Sequence, residues 1–215
     1  MTLLGAISRN GLWLGAFAAM TTLAIVWTER DTRDAIIASE REAEARQLLE
    51  IFPKETHDNS LIDEPIQLPA NDPLLNLRQS RSGYIARREG RVVGVILPTT
   101  ARDGYSGDIR FLVGIRVDGT VAGVRAVSHR ETPGLGDKVD LKKSPWILGF
   151  NNRSLNSATR ADWFVRKDGG VFDQFTGATI TPRASVAAVR RTLEYVDLHR
   201  DQLFETVAGT GDSYE

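Results

Sequence analysis

Residues 10–28, NGLWLGAFAAMTTLAIVWT, contain no charged side chain. As a helix rising 1.5 Å per residue, nineteen residues span roughly 28 Å, close to the ~30 Å hydrocarbon thickness of a bilayer. Trp13 and Trp27 stand near the two ends, where interfacial aromatics sit. The stretch predicts a transmembrane anchor over 11–28, preceded by a short segment, 1–10. A cleaved signal peptide is the competing reading, because Thr22-Leu23-Ala24 loosely resembles a small-x-small cleavage site. The length of the apolar run, with only Arg9 before it, favours the anchor over both this reading and a buried soluble helix. Arg9 precedes the span, and Arg30 and Arg33 follow it among Glu29, Asp31 and Asp34, so the positive charges do not select an orientation.

The rest of the chain must supply the folded domain. Residues 29–52 read as a helix with mixed surface charge, ended by Pro53. Ile36, Ile37, Leu48, Leu49 and Phe52 are its apolar positions, and a solvated stalk is preferred to a docking helix. Pro53, Pro65, Pro69 and Pro73 then mark an irregular connector, so stalk and connector together cover 29–80. Two short strands flank Glu89-Gly90 and two stronger ones flank Asp118-Gly119, a hairpin signal. Ile109, Phe111, Val113 and Ile115 alternate with Arg110, Leu112, Gly114 and Arg116, which predicts one buried face. A last long helix starts near Thr181, with Pro182 at its first position and Val186, Val189, Leu193 and Val196 at helical spacing. Strands first and helix last predict an α+β domain, a mixed or antiparallel sheet with a C-terminal helix, over 81–207, followed by a tail, 208–215.

Several functions are excluded or disfavoured at this level. The chain has no cysteine, which rules out disulfides, Cys-bound iron–sulfur clusters and thiolate metal sites. His57, His129 and His199 show no metal-ligand spacing, so no metal site is expected. A net charge of -1 offers no general basic surface, so nucleic acid is not an expected partner. No Ser-His-Asp order with a strained elbow is present, and no catalytic residue is assigned.

Two loops remain that carry chemistry. In FDQFTGATITPRAS, residues 172–185, Thr176, Thr179 and Thr181 surround Gly177 and Ala178 just before the last helix. Amides at a helix N-terminus favour an anion, and small residues permit close approach. The stretch has no phosphate-loop or dinucleotide fingerprint, however, and on spacing alone a turn followed by a helix cap at Thr181 is the preferred reading. A helix terminus contributes ~1–2 kcal/mol toward holding an anion, whereas micromolar retention needs about 8 kcal/mol. Either a pocket elsewhere helps or a hydroxyl makes a covalent bond. Threonine is a weak nucleophile without a base, and Asp173 is the only acid in the stretch. The second loop, HRETPGLGDK at 129–138, has a turn at Pro133-Gly134 and glycines flanking Leu135. It reads as a tight surface turn or as a support for a planar ligand, with His129 a structural hydrogen-bonder and Glu131 a solvated charge.

Together the two loops resemble the FMN-binding domain family of membrane electron-transport complexes. The G subunit of the Rnf (Rsx) ion-translocating electron transport complex is similar in both loops; the C subunit of the sodium-pumping NADH:quinone reductase is a more distant relative. The resemblance extends over the anchor, the connector, DGYSGDI at 103–109 and both loops. Its signature, [ST]-G-A-T with a hydroxyl soon after, is met by Thr176-Gly177-Ala178-Thr179 and then Thr181. The resemblance implies FMN attached through a phosphoester to Thr179 by a separate flavin transferase that uses FAD and a divalent metal. It also implies that Thr132, Gly134, Leu135 and Gly136 lie near the flavin. The implied setting is the bacterial inner membrane, with the N-terminus cytoplasmic, one membrane pass and the flavin domain, 81–207, periplasmic. The implied role is a relay among the other membrane subunits of a ferredoxin- and NAD-linked complex, or of one that keeps a redox-sensing regulator reduced. Two other readings stay open: an anchored module binding a phosphorylated small molecule without a covalent bond, and a threonine-nucleophile hydrolase.

Overall fold

The structure is a computed structural model, which describes residues 3–155 and 162–205. The tail expected at 208–215 and the last residues of the domain expected to end at 207 lie outside the described residues. The chain divides into two compact units, Met1–Glu44 and Ala45–Glu215. A helix, α1, covers Leu3–Ile51. No glycine or proline falls between 16 and 52, so nothing interrupts the helical backbone until Pro53. Within the first unit, Gly11–Glu29 is long and apolar enough to cross a bilayer, and none of it is buried inside the chain. The buried soluble helix is thereby set aside. Thr22 and Thr28 donate their hydroxyls to the carbonyls of Ala18 and Ala24 at 2.8 and 2.6 Å, so these polar groups are satisfied inside the helix.

The second unit contains a five-stranded antiparallel meander, in the order β1 to β5: Pro65–Leu68, Arg81–Arg88, Arg91–Gly104, Gly107–Arg116 and Val121–Ser128. Helix α2, Ile180–Leu198, and a short α3, Arg200–Glu205, follow. This is the expected α+β class with an antiparallel sheet. The connector is less irregular than expected, because Pro65–Leu68 pairs with β2. Proline is tolerated there as the first residue of an edge strand, where one missing donor costs little.

The main core lies between one sheet face and α2. Ile109, Phe111, Val113 and Ile115 are fully buried with Val95 and Leu97, and they cluster with Val186, Val189, Leu193 and Val196 of α2. This is the buried face that the alternation predicts. The other face is covered too, which the alternation does not predict. Leu48, Ile51 and Phe52 join Leu61, Tyr84, Ala86, Ile96 and Leu112 in a second core. The last turn of the expected stalk is therefore a docked element. Its seat is a glycine stripe across the sheet. A methyl on Gly114 would fall 2.1 Å from Ile51 Cγ2, and one on Gly94 would fall 2.3 Å from Phe52 Cζ. Arg125 of β5 fastens the same turn, donating to the Glu50 carboxylate at 2.7 Å and to its carbonyl at 3.0 Å.

Gly114→Ala should destabilise the folded unit by about 1–3 kcal/mol through overpacking. Shortening the opposing side chain with Ile51→Ala should make the double variant less destabilised than the sum of the two single changes. Denaturant unfolding of the full chain in detergent checks both, and strictly additive losses would contradict the seating. At the β4–β5 turn, Asp118 accepts from the Thr120 hydroxyl at 2.6 Å and from its amide at 2.9 Å. The hydroxyl bond chiefly holds the Asp118 carboxyl below the usual aspartate range, against an opposing contribution from burial. A lowered folded-state pKa stabilises at neutral pH, and the gain is lost as pH falls from the ordinary aspartate value, about 4, through the folded one. Asp118→Asn should lower Tm at neutral pH and converge with wild type in strong acid.

Candidate functional site

The stretch 172–185 is shaped by what it buries. Phe172 and Phe175 are buried, while Asp173, Gln174 and Thr176 are exposed. Phe172 lies 4.7 Å from Phe150 and 5.4 Å from Trp163, and Phe175 lies 4.9 Å from Trp146, ring centre to ring centre. Trp146 Nε1 also donates to the Asp173 carbonyl at 2.7 Å. Two aromatic anchors thus pin the segment and leave its small residues at the surface. The amide of Ala178 then returns to the Phe175 carbonyl at 3.1 Å. That turn has Gly177 third, at φ +80, a left-handed value that a type II turn requires and glycine adopts without strain.

The loop 129–138 is closed by the Thr132 carbonyl, which accepts from the amides of Leu135 and Gly136, each at 3.1 Å. Glu131 joins it to the rest. Glu131 is 4% exposed, so the expected solvated charge is a buried carboxyl. One oxygen accepts from the Ser106 amide at 2.9 Å and the other from the Thr181 hydroxyl. This also corrects the expected cap. Helix α2 begins at Ile180, with Thr179 in the capping position, so Thr181 is the second helical residue and Pro182 the third. Proline is still acceptable there because the first-turn amides have no partner inside the helix. The Thr181 hydroxyl faces Glu131 because a buried carboxyl needs donors more than an exposed helix start needs a side-chain cap. His129 has the structural role expected of it, its Nδ1 accepting from the Glu131 amide at 3.3 Å.

The two loops meet at a cleft of about 270 Å³ lined by Thr132, Leu135, Gly136, Gly177, Ala178 and Thr179, with Tyr105, Glu131, Ile180 and Thr181. Thr176 and Gly134 flank it without lining it. The loops are in contact distance of each other: a methyl on Gly177 would lie 3.3 Å from Leu135 Cδ2. Gly136 is more constrained still, since a methyl there would fall 2.8 Å from Glu131 Oε2 and 2.9 Å from Thr181 Oγ1. Leu135, Ile180 and Tyr105 leave 41%, 47% and 67% of their surface exposed around the cleft, enough apolar area to lie against a planar ring.

The three threonines have different fates. Thr181 is buried and bonded to Glu131. Thr176 is exposed. Thr179 is half-buried at the head of α2, and its side chain makes no capping hydrogen bond. Sequence reasoning missed Tyr105 and Ile180. An aromatic in a polar turn between Gly104 and Gly107 is a usable signal for Tyr105, whereas Ile180 only reads as the start of the helix.

Known proteins share both the cleft region and the N-terminal helix. The FMN-binding domain model matches residues 104–194, and that of the RnfG N-terminal region matches residues 1–51. The chain is 43% identical over 213 residues to the G subunit of the ion-translocating oxidoreductase complex of Vibrio vulnificus, covering 99% of this chain and 100% of that one. Against the protein of the same name from Pseudomonas aeruginosa it is 46% identical over 204 residues, 94% of each chain. The Shewanella loihica protein of that name is 43% identical over 209 residues, 97% of this chain and 98% of that one. The matched FMN-binding region contains both loops of the cleft and the start of α2, and the relatives align over nearly their full lengths, so the chain belongs to the family of G subunits of ion-translocating oxidoreductase complexes.

Proposed function

We propose that this chain is a single-pass membrane subunit that carries FMN in phosphoester linkage to Thr179 and relays electrons within an ion-translocating complex. One observation carries the assignment of the attachment residue. Of the three threonines in the signature, Thr179 alone both lines the cleft and has a hydroxyl not committed to a hydrogen bond among the described residues. The attachment is made by a separate flavin transferase. Within the cleft, Glu131 is the only carboxyl among the lining residues, and it is already engaged by Ser106 and Thr181. Among the described residues lining the cleft no uncommitted base stands ready for a threonine nucleophile, which weighs against the hydrolase reading.

The residues present fit the cofactor. A phosphate on Thr179 sits at the N-terminal end of α2, where the helix favours negative charge by ~1–2 kcal/mol. Gly136 and Gly177 keep the two loop backbones close, and Leu135, Ile180 and Tyr105 supply apolar surface for the ring. The cleft is at the small end of ligand sites, which run from about 300 Å³ upward, and no lysine or arginine lines it. Arg183, one turn into α2, is held by Asp168 at 2.5 Å. The helix end by itself falls well short of the ~8 kcal/mol that micromolar retention requires, and a covalent tether would remove that requirement. Bound FMN would supply the reversible redox chemistry; Thr179 would hold its phosphate, and Leu135, Ile180 and Tyr105 would offer apolar surface to its ring. The anchor at 11–28 keeps the domain at the inner membrane, N-terminus in the cytoplasm and flavin domain in the periplasm.

Full-length protein made together with its transferase should give a fluorescent band on a denaturing gel. Thr179→Ala should abolish the fluorescence, and Thr176→Ala should keep it. A wild-type band without fluorescence would falsify the covalent assignment, and ligand released on denaturation would identify the non-covalent module. Gly136→Ala should lower flavin loading severalfold, since its methyl displaces Glu131 or Thr181, and mass measurement of the intact chain reads the loaded fraction.

A further inference from the structure

The sheet face that seats Ile51 and Phe52 runs on past Leu112 to Arg110, which keeps the same alternation along β4. Arg110 pairs across the sheet with Thr100 on one side and Ser128 on the other, so small hydroxyl residues are its neighbours on both strands. Around this row lies a polar cleft of about 470 Å³, walled by Arg78, Arg81, Arg130 and the turn at Ser106, Gly107 and Asp108. Four guanidinium groups thus face a single carboxylate. Asp108 is already taken by Arg78, which donates to both of its oxygens at 2.8 and 3.1 Å. Arg78 chiefly holds the Asp108 carboxyl below the usual aspartate range. Arg81, Arg110 and Arg130 are exposed and form no ion pair among the described residues.

Three arginines without an ion pair among the described residues thus surround one cleft, with only a longer-range attraction from Arg110 to Asp108, in a chain whose net charge is -1. They also share a wall with the flavin cleft. Tyr105 lines the flavin cleft and Ser106 the arginine cleft, and the same division holds for Glu131 and Arg130. The Ser106 amide bonded to Glu131 Oε1 joins the two walls at 2.9 Å. Anything seated on the arginines therefore lies directly against the wall of the redox site.

We propose that Arg81, Arg110 and Arg130 form the docking site for an acidic surface of a protein partner in the electron-transfer chain, placed beside the flavin cleft. The proposal rests on the flavoprotein reading above. Arginine suits the role because its planar fork pairs carboxylates in two-bond geometry and is weakly hydrated. Charge complementarity steers encounter and fixes register, which a relay needs more than a large buried area.

The test uses flavin-loaded full chain in detergent, titrated with the purified remainder of its complex and followed by the anisotropy of flavin fluorescence. Wild-type affinity should fall steeply with salt. The triple variant Arg81→Gln, Arg110→Gln, Arg130→Gln should bind at least about tenfold more weakly at low salt, with a much flatter salt dependence. Normal flavin fluorescence and unchanged Tm show that the variant is folded and loaded; Arg110→Gln alone, with a smaller loss in the same direction, serves if the triple variant fails to fold. Wild-type affinity and salt slope in a loaded variant overturn the docking site while leaving the flavoprotein reading intact. An unloaded wild type overturns that reading instead. If the variant docks normally but loses a Tm rise produced by phosphatidylglycerol and not by phosphatidylcholine, the arginines serve a lipid headgroup and the proposal fails.

Discussion

The site depends on a buried carboxyl. Glu131 gathers three segments distant in sequence: the β3–β4 turn through the Ser106 amide, its own loop, and the first turn of α2 through the Thr181 hydroxyl. Leaving such a polar group buried and unpaired costs roughly 2–7 kcal/mol, so the three segments are held in one arrangement or the carboxyl is not satisfied. Gly136 belongs to the same constraint, because only a residue without a side chain lets the loop backbone pass this close to Glu131 and Thr181. The cleft between the loops follows from that junction. Thr181 is engaged by Glu131, whereas Thr179 stands at the helix head with a hydroxyl uncommitted among the described residues.

Behind this junction the support is apolar and ordinary. Trp146, Phe150, Trp163, Phe172 and Phe175 pack in mutual contact and anchor the signature from below. The sheet is buried on both faces, by α2 on one and by the end of α1 on the other. Antiparallel sheets often leave one face to water. Here the stripe of Gly94 and Gly114 lets an aromatic and a branched side chain lie flat on the backbone. Beyond the part covered by α1, the same face carries Arg110, so one sheet face provides both a seat for the chain's own helix and one member of the arginine cluster.

Much of the fold was legible in sequence because it rests on local rules. The apolar run, the turn at Asp118-Gly119, the alternation of Ile109 to Ile115 and the spacing of Val186 to Val196 each report a periodicity or a backbone preference that neighbours in sequence can express. The docked turn at Leu48, Ile51 and Phe52 was not legible, because three apolar positions ending a charged helix look the same whether they meet solvent or a distant sheet. The strand at Pro65–Leu68 was hidden for a similar reason, its prolines being a loop signal that an edge strand tolerates.

For the site, sequence alone determined that a run of small and hydroxyl residues precedes a helix, that a second glycine-containing turn exists, and that both match the signature of an FMN-binding family. Tertiary structure alone decided that the two turns share a cleft, that Thr181 is spent on Glu131, and that Thr179 makes no side-chain cap at the head of α2. The physical reason is range. Turn and helix preferences are set within a few residues, whereas the partner of a buried carboxyl fifty positions away is chosen only when the sheet and α2 bring it there.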